Sequence, residues 1–297
     1  MATNLLDAIQ RQTGIVQERV NKGGVTTIGL PCGFNKIDQY LLGFRNQQLY
    51  ILAGRPSMGK TSCALSMALN VAHAGNSVLF VSLEMDAELL STRILSTRTG
   101  IPAQRIELGQ LDEHEMFRVQ EAYVENDKNF IIADESMDSH KLLELVESLE
   151  VKPKFIVVDY ITLLRDKSDH GQTERITQIS GNLREIARIC DAPLLALSQL
   201  NRAVEARLDH MPILSDLRDS GALEQDAFAV LFVYRPQYYA RLSQGSEEQE
   251  VEHDAAIIIA KNRQGETGIT NATFHTKTMT WEQKNHAIEL PQSRGGL

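Results

Sequence analysis

The segment "GRPSMGKT" (54–61) follows the apolar run "QLYILA" (48–53) and precedes a stretch with helical periodicity. Few local patterns constrain a fold as tightly. Gly54 and Gly59 permit a tight turn and close approach of the main chain to a ligand. The N–H groups of that turn, with the first N–H groups of a helix beginning near Lys60, converge as an anion cradle. Lys60 adds a point charge for β- and γ-phosphates, and Thr61 a hydroxyl for Mg2+. Ser57, Met58 and Ser62 belong to the same cradle. A strand, a glycine-rich turn and a helix must therefore follow one another here, and their expected ligand is a nucleoside triphosphate.

The remaining chain extends this unit. Apolar runs at 48–54, 77–84, 129–134, 154–160, 193–200, 228–235 and 255–263 are rich in Leu and β-branched residues. Helix-patterned stretches such as "GKTSCALSMALNVAHAG" and "SHKLLELVESLEV" lie between the early ones. Nearly continuous apolar strands separated by helices predict a mostly parallel sheet covered on both faces. The late stretch "GITNATFHTKTMTWEQ" alternates weakly and reads as an edge hairpin, and "IELPQSRGGL" as a frayed tail. At the other end, Leu5, Leu6, Ile9, Val16 and Val20 recur at helical spacing before the "NKGGV" break. This predicts a short amphipathic helix and a hinge. The helix either docks on its own domain or, given the freedom of two glycines, on a neighbouring copy. The expected division is 1–24 helix and hinge, 25–285 main domain, 286–297 tail.

A phosphate loop needs an acid on a nearby strand to hold its metal. "KFIVVDY" ends an apolar run in Asp159, on the ligand side of such a sheet. Asp134, in "IIADES", competes; aspartates often end strands simply as turn residues. Asp159 is preferred because its strand is of the more deeply buried type. Glu84, in "LFVSLEMD", ends the strand after the loop's helix and is a candidate to activate water. Its plain alternative is a helix-start glutamate favoured by the helix dipole. Gln199, in "LLALSQLNR", is an uncharged amide that can hydrogen-bond a γ-phosphate, or an ordinary surface glutamine.

Composition sets the outer limits. The chain has 297 residues, 42% of them hydrophobic, enough for a sizeable core. Net charge is −9, which argues against a general nucleic-acid binder but leaves room for a local basic channel. Three scattered cysteines, Cys32, Cys63 and Cys190, fit a reducing compartment and neither a disulfide framework nor a zinc site. No run approaches eighteen apolar residues, and the N-terminus lacks a signal-peptide pattern. A cytoplasmic protein with no membrane partner is expected.

Seven segments then fall in a telling order: "GRPSMGKT", "FVSLEM", "IVVDYITLL", "LSQLNRAVEAR", "SDLRDSGALEQDA", "VYRPQYY" and "IIIAKNRQGETG". Together they resemble the motor domain of DnaB-type replicative DNA helicases of bacteria and phages, over residues 28–281. "LRDSGALEQDA" and "KNRQG" are the specific part, since phosphate-loop proteins in general do not share them. The resemblance implies a RecA-like P-loop NTPase fold, with a mostly parallel twisted sheet flanked by helices and an N-terminal linker helix. It implies ATP and Mg2+ as cofactors and a homo-hexameric ring. The ring would encircle one DNA strand, translocate 5′ to 3′ and part the duplex. A helicase loader and a primase are the further partners expected.

Carried over by position, Lys60 and Thr61 would bind phosphate and Mg2+, Glu84 would be the catalytic base, Asp159 the metal acid and Gln199 the γ-phosphate sensor. Arg93 would lie near the nucleotide. Arg263 would be an arginine finger entering the next subunit's site, with Lys261 beside it. Arg218, Asp219 and Gly221 would hold the DNA backbone inside the ring, and Arg202, Arg207 and the segment 165–175 are weaker channel candidates. Such a loop grips phosphate without reading bases, so six copies would line a pore while the outer surface stays acidic. The family's N-terminal collar domain has no counterpart in this sequence, and residues 1–24 resemble the linker helix that docks on the next subunit. Two other readings share the phosphate loop. A RecA-like recombinase should lack "LRDSGALEQDA" followed by "KNRQG". An ATP-binding accessory factor acting as a switch has no need of Glu84.

Overall fold

The computed structural model describes residues 4–24, 27–123, 125–166, 171–217, 221–239 and 252–284. Helix α1 (Leu5–Asn21) is capped by Asn4, whose side chain accepts from the Asp7 N–H, as N-cap asparagines do. It ends where Gly23 and Gly24 take positive φ. No residue of α1 is buried; Leu5 is 75% and Val20 63% exposed. Among the described residues the apolar stripe of α1 joins neither core cluster, so it is not seen packed on its own domain.

The main body begins with α2 (Asn35–Leu41) and β1 (Leu49–Gly54). There follow α3 (Lys60–His73), β2 (Val78–Ser82), α4 (Ala87–Thr99), α5 (Ala103–Glu107), α6 (Glu113–Gln120) and β3 (Phe130–Ala133). Next come α7 (Ser139–Ser148), β4 (Phe155–Asp159), α8 (Gln172–Ile189), β5 (Leu194–Gln199), α9 (Gly221–Asp226) and β6 (Ala229–Tyr234). Three further strands close the domain, β7 (Glu252–Asn262), β8 (Gly268–His275) and β9 (Thr280–Gln283). The strands form one sheet in the order β3-β2-β4-β5-β1-β6-β7-β8-β9. The first six run parallel and the last three antiparallel.

Strand alternation explains why the central runs are apolar throughout. Tyr50, Leu52, Phe80, Val157, Leu195 and Leu231 face one core, built with α2 and α3. Leu49, Ile51, Leu79, Val158, Leu194 and Val230 face the other, built with α7 and α8. A strand buried on both faces has no polar side to show. The β8–β9 pair is the expected edge hairpin, and Trp281, 3% exposed, seals it against the first core. The tail at 286–297 lies outside the described residues. Among the described residues no helix is long and apolar enough to cross a membrane.

This topology gives the sheet two unlike ends. Gly54, Ser82, Asp159, Gln199 and Tyr234 all finish parallel strands at one end. Because β7 pairs antiparallel with β6, its last residues lie opposite the start of β6: Lys261 is in register with Val230, and Asn262 with Ala229.

Candidate functional site

At the carboxyl end of the parallel strands a pocket of about 570 Å³ opens, lined by the loop after β1 and by Glu84, Arg93 and Gln199. In open α/β sheets this is where ligands sit. The loop takes positive φ at Ser57 and Gly59. A Cβ on Gly54 would lie 2.5 Å from Val233, and one on Gly59 2.9 Å from the Trp281 indole nitrogen, so both positions exclude a side chain. Two carbonyls of the loop are tied from outside. Arg235 Nη1 donates to Ser57 O at 3.0 Å, and Trp281 Nε1 donates to Gly59 O at 3.0 Å. The first N–H groups of α3 have no partner within the helix, and the arrangement can cradle a phosphate chain. Ser57, Gly59, Lys60, Thr61 and Ser62 line the pocket. Gly54 stands behind it, and the Met58 side chain is buried in the core beneath, which leaves Met58 only its backbone to offer a ligand.

Four charged groups meet over this loop. Glu84 is placed by a braced turn: Ser82 Oγ donates to Met85 O at 2.7 Å, and Leu83 N donates to Asp159 O at 2.7 Å. The second bond locks the ends of β2 and β4 together. Asp159 is fully buried, and neither carboxylate oxygen has a hydrogen-bond partner among the described residues. Burial pushes its carboxyl up to about 6; the Thr61 hydroxyl, Lys60 and Arg93 draw it down, and Glu84 pushes it further up. Burial likewise lowers Lys60 and Arg93 from their ordinary values, while Asp159 and Glu84 draw both back up. An orphaned carboxylate beside a threonine hydroxyl and a phosphate cradle suits a hard divalent cation, which takes one or two carboxylates and completes its shell with phosphate and water. Asp134, the competing acid, is exposed and accepts the Ala87 N–H at 2.8 Å, capping α4.

The wall packed against the loop consists of residues to which the sequence assigned no role. Arg235 is 5% exposed. Its guanidinium lies 3.9 Å from the Phe274 ring centroid and within 2.8 Å of His253 Nδ1. Tyr238 and Met279 complete this wall. An arginine directly after the apolar run of β6 and the lone tryptophan of the chain were the available signals. Neither is informative until the fold brings positions 59, 235, 274 and 281 together.

Other expected residues lie elsewhere. Gln199 is exposed and also borders a second cavity of about 220 Å³, which Arg202 lines. Arg207 is committed within its own loop. It pairs bidentately with Asp216, a carboxylate 1% exposed, and donates to Met211 O at 2.7 and 3.1 Å. Its guanidinium therefore has little left to offer a backbone phosphate. Gly221 opens α9 on the exposed surface. Arg218 and Asp219 lie outside the described residues, as do 167–170 of the segment 165–175. The described flanks of that segment are anchored: Arg165 N donates to Met137 O, and Arg175 donates to Leu164 O and Thr162 O.

Arg263 and Lys261 are at the other end of the sheet. Arg263 N donates to Phe228 O at 2.9 Å, just before β6 begins. Its Nη2 donates to Gln225 O, and Lys261 Nζ donates to Glu224 O and, at 2.9 Å, to Ala227 O. Both cations thus cap the carboxyl end of α9, where helix carbonyls lack partners and negative charge accumulates. Neither lines this chain's own pocket.

The family model described as DnaB-like helicase C terminal domain matches residues 29–283. Replicative DNA helicase DnaB of Helicobacter pylori (strain J99 / ATCC 700824) is 33% identical over 310 residues, covering 93% of this chain and 64% of that protein. Replicative DNA helicase DnaC of Bacillus subtilis (strain 168) is 36% identical over 273 residues, covering 90% of this chain and 58% of that protein. The chain therefore spans less than two thirds of these relatives' length. Among solved structures, one described as an ATPase domain superposes with a TM-score of 0.82 at 30% identity, covering 93% of this chain and 99% of that one. A DnaB-like replicative helicase, described with its interactions with primase, gives 0.80 at 30% identity over 95% of this chain and 67% of that one.

Proposed function

The chain belongs to the family of DnaB-like helicase C-terminal domains, with their RecA-like fold, and on that premise we propose that it is the ATP-driven motor of a replicative DNA helicase. Residues 25–285 form the motor, and residues 1–24 a linker helix whose exposed apolar stripe docks on a neighbouring copy. ATP places its phosphates on the loop at 54–61 under Lys60. A magnesium ion held by Thr61 and Asp159 would supply charge neutralisation across the phosphates. Glu84 orients and deprotonates the attacking water, and Gln199 reads the presence of the γ-phosphate. Arg93 neutralises charge on the near side. The adenine-side wall is the Arg235–Phe274 stack, a cation over an aromatic face.

The observation that carries this reading is the polarity of the sheet. Lys60, Glu84 and Asp159 gather at one end, and Arg263 is presented from the other. An arginine there can complete only a neighbour's pocket, as a finger supplied in trans does. A closed ring of copies, six by family resemblance, satisfies that geometry at every boundary. Single-stranded DNA then threads the ring against the segment around Gly221, with Arg202 at the second cavity's rim, and a primase and loader are partners of the assembled fork complex.

The test is strand separation. A forked duplex with a 5′ single-stranded tail is expected to be unwound with ATP and Mg2+, while a 3′-tailed one is not. Glu84→Gln should leave nucleotide binding in place and lower turnover by roughly a hundredfold or more, as loss of a general base does. ATP-dependent growth of open filaments on DNA, without unwinding, would contradict the reading in favour of a recombinase.

A further inference from the structure

We propose that Arg45 is a positioning residue for Arg263: it fixes the strand end from which that arginine reaches across to the neighbouring copy. The inference rests on the trans role given above to Arg263, and it concerns how the chain aims that side chain.

Arg45 lies just before β1, far in sequence from β7, yet three contacts bind it to the same spot. Its backbone N–H donates to the Tyr50 hydroxyl at 2.7 Å. The preceding Phe44 is held in an antiparallel bridge to Leu30, so the backbone that carries Arg45 is fixed on both sides. The guanidinium lies 5.3 Å from the ring centroid of Phe228, and Nη1 donates to Gln264 Oε1. Phe228 and Gln264 are also the residues that bracket Arg263: the Phe228 carbonyl accepts the Arg263 N–H, and Gln264 follows it in the chain. Arg45 therefore closes a circuit through Phe228, Arg263 and Gln264.

The rest of the turn is equally constrained. Asn262 Nδ2 donates to Tyr40 O at 2.9 Å and Glu266 O at 3.2 Å. A Cβ on Gly265 would lie 2.5 Å from the Asn262 amide, and one on Gly268 2.4 Å from the Tyr40 ring. The turn is seated on α2 on one side and on Arg45 on the other. Arg263 itself stays exposed, with its backbone fixed and its side chain resting on the Gln225 carbonyl.

Packing alone does not account for an arginine at position 45. Its Nε is buried without a hydrogen-bond partner among the described residues, which is unfavourable. A Met or Leu would cover Phe228 without that defect. What those residues lack is a donor for Gln264. The arginine is thus accounted for by the turn it steadies. Misaiming a charge-stabilising group by about an ångström costs rate more than binding.

The test uses the full chain, with ATP turnover measured on single-stranded DNA. Arg45→Met keeps the stem over Phe228 and removes the donor. It is expected to lower kcat about tenfold with KM for ATP unchanged. Gln264→Ala, on the exposed turn, should give the same defect, and the double variant no more than either alone. Mixing separates aiming from general damage. Arg45→Met protomers keep an intact pocket, and Lys60→Ala protomers keep a well-aimed Arg263. Mixed assemblies should recover turnover well above the average of the two separate preparations. Wild-type kcat in Arg45→Met, or a mixture that only averages its parents, would overturn the proposal. Mixing Arg263→Ala with Lys60→Ala is the control. If that pair also fails to recover, the trans role of Arg263 is refuted and Arg45 loses its function with it. If that pair recovers and the Arg45 pair does not, the positioning role alone is refuted.

Discussion

Asp159 shows how the proposed metal-holding role and stability oppose each other at one residue. Its carboxyl is raised from about 3.8 to about 6 because it is buried, a rise that the Thr61 hydroxyl, Lys60 and Arg93 offset only in part. A carboxyl raised in the folded state binds its proton more tightly there than in the unfolded chain. Between roughly pH 4 and 6 the folded protein holds more protons, so stability falls as pH rises through that window. At neutral pH the ionised group is a net burden on the order of 2–3 kcal/mol. Asp159→Asn should therefore raise the melting temperature of the nucleotide-free protein at about pH 7.5. That gain should vanish below about pH 4, and the variant should lose Mg2+-dependent turnover at every pH. A lower melting temperature near neutral pH would contradict this account. Magnesium should also bind more weakly as pH falls through about 6, because it must displace the proton.

At the scale of elements, the phosphate loop depends on two strands distant from it in sequence. The end of β6 supplies Arg235 to the Ser57 carbonyl, and β9 supplies Trp281 to the Gly59 carbonyl. Trp281→Phe preserves most of the packing and removes one donor. Gly59 O keeps its bond from Cys63 N, so the expected loss is modest, about 1 kcal/mol of stability. KM for ATP should rise several-fold as the loop loosens. Isothermal binding of a non-hydrolysable ATP analogue would measure this, and an unchanged affinity would remove Trp281 from the cradle's support.

The same contacts mark what the sequence could not disclose. The loop itself, the strand ends at Glu84 and Asp159, and the parallel order were legible because their signals are local: glycine spacing, apolar runs, an acid at a strand end. The exposure of α1 was legible only as one of two options, since periodicity shows a stripe without showing what covers it. Arg207 reads as a free cation until Asp216 is folded against it. Arg235, Phe274 and Trp281 carry no local pattern at all. Their meaning arises from antiparallel strands that return across the sheet to the phosphate loop. Lys261 and Arg263 were placed by family resemblance, but their resting partners, the α9 carbonyls, follow only from the β6–β7 register.

On the scale of the whole molecule, one sheet separates the two halves of the proposed reaction centre. Its carboxyl end holds the loop at 54–61, Asp159 and Glu84; its opposite end offers Arg263. A single chain cannot bring these together without turning the sheet around. Activity should accordingly be a property of the assembly, and Lys261 and Arg263 should leave the α9 carbonyls when they engage a neighbour's nucleotide. The measurement closest to this claim is ATP turnover per protomer followed across dilution, with oligomeric state read in the same samples by analytical ultracentrifugation. The account predicts that turnover collapses in step with dissociation and returns on reconcentration. Undiminished turnover by a demonstrated monomer would contradict it.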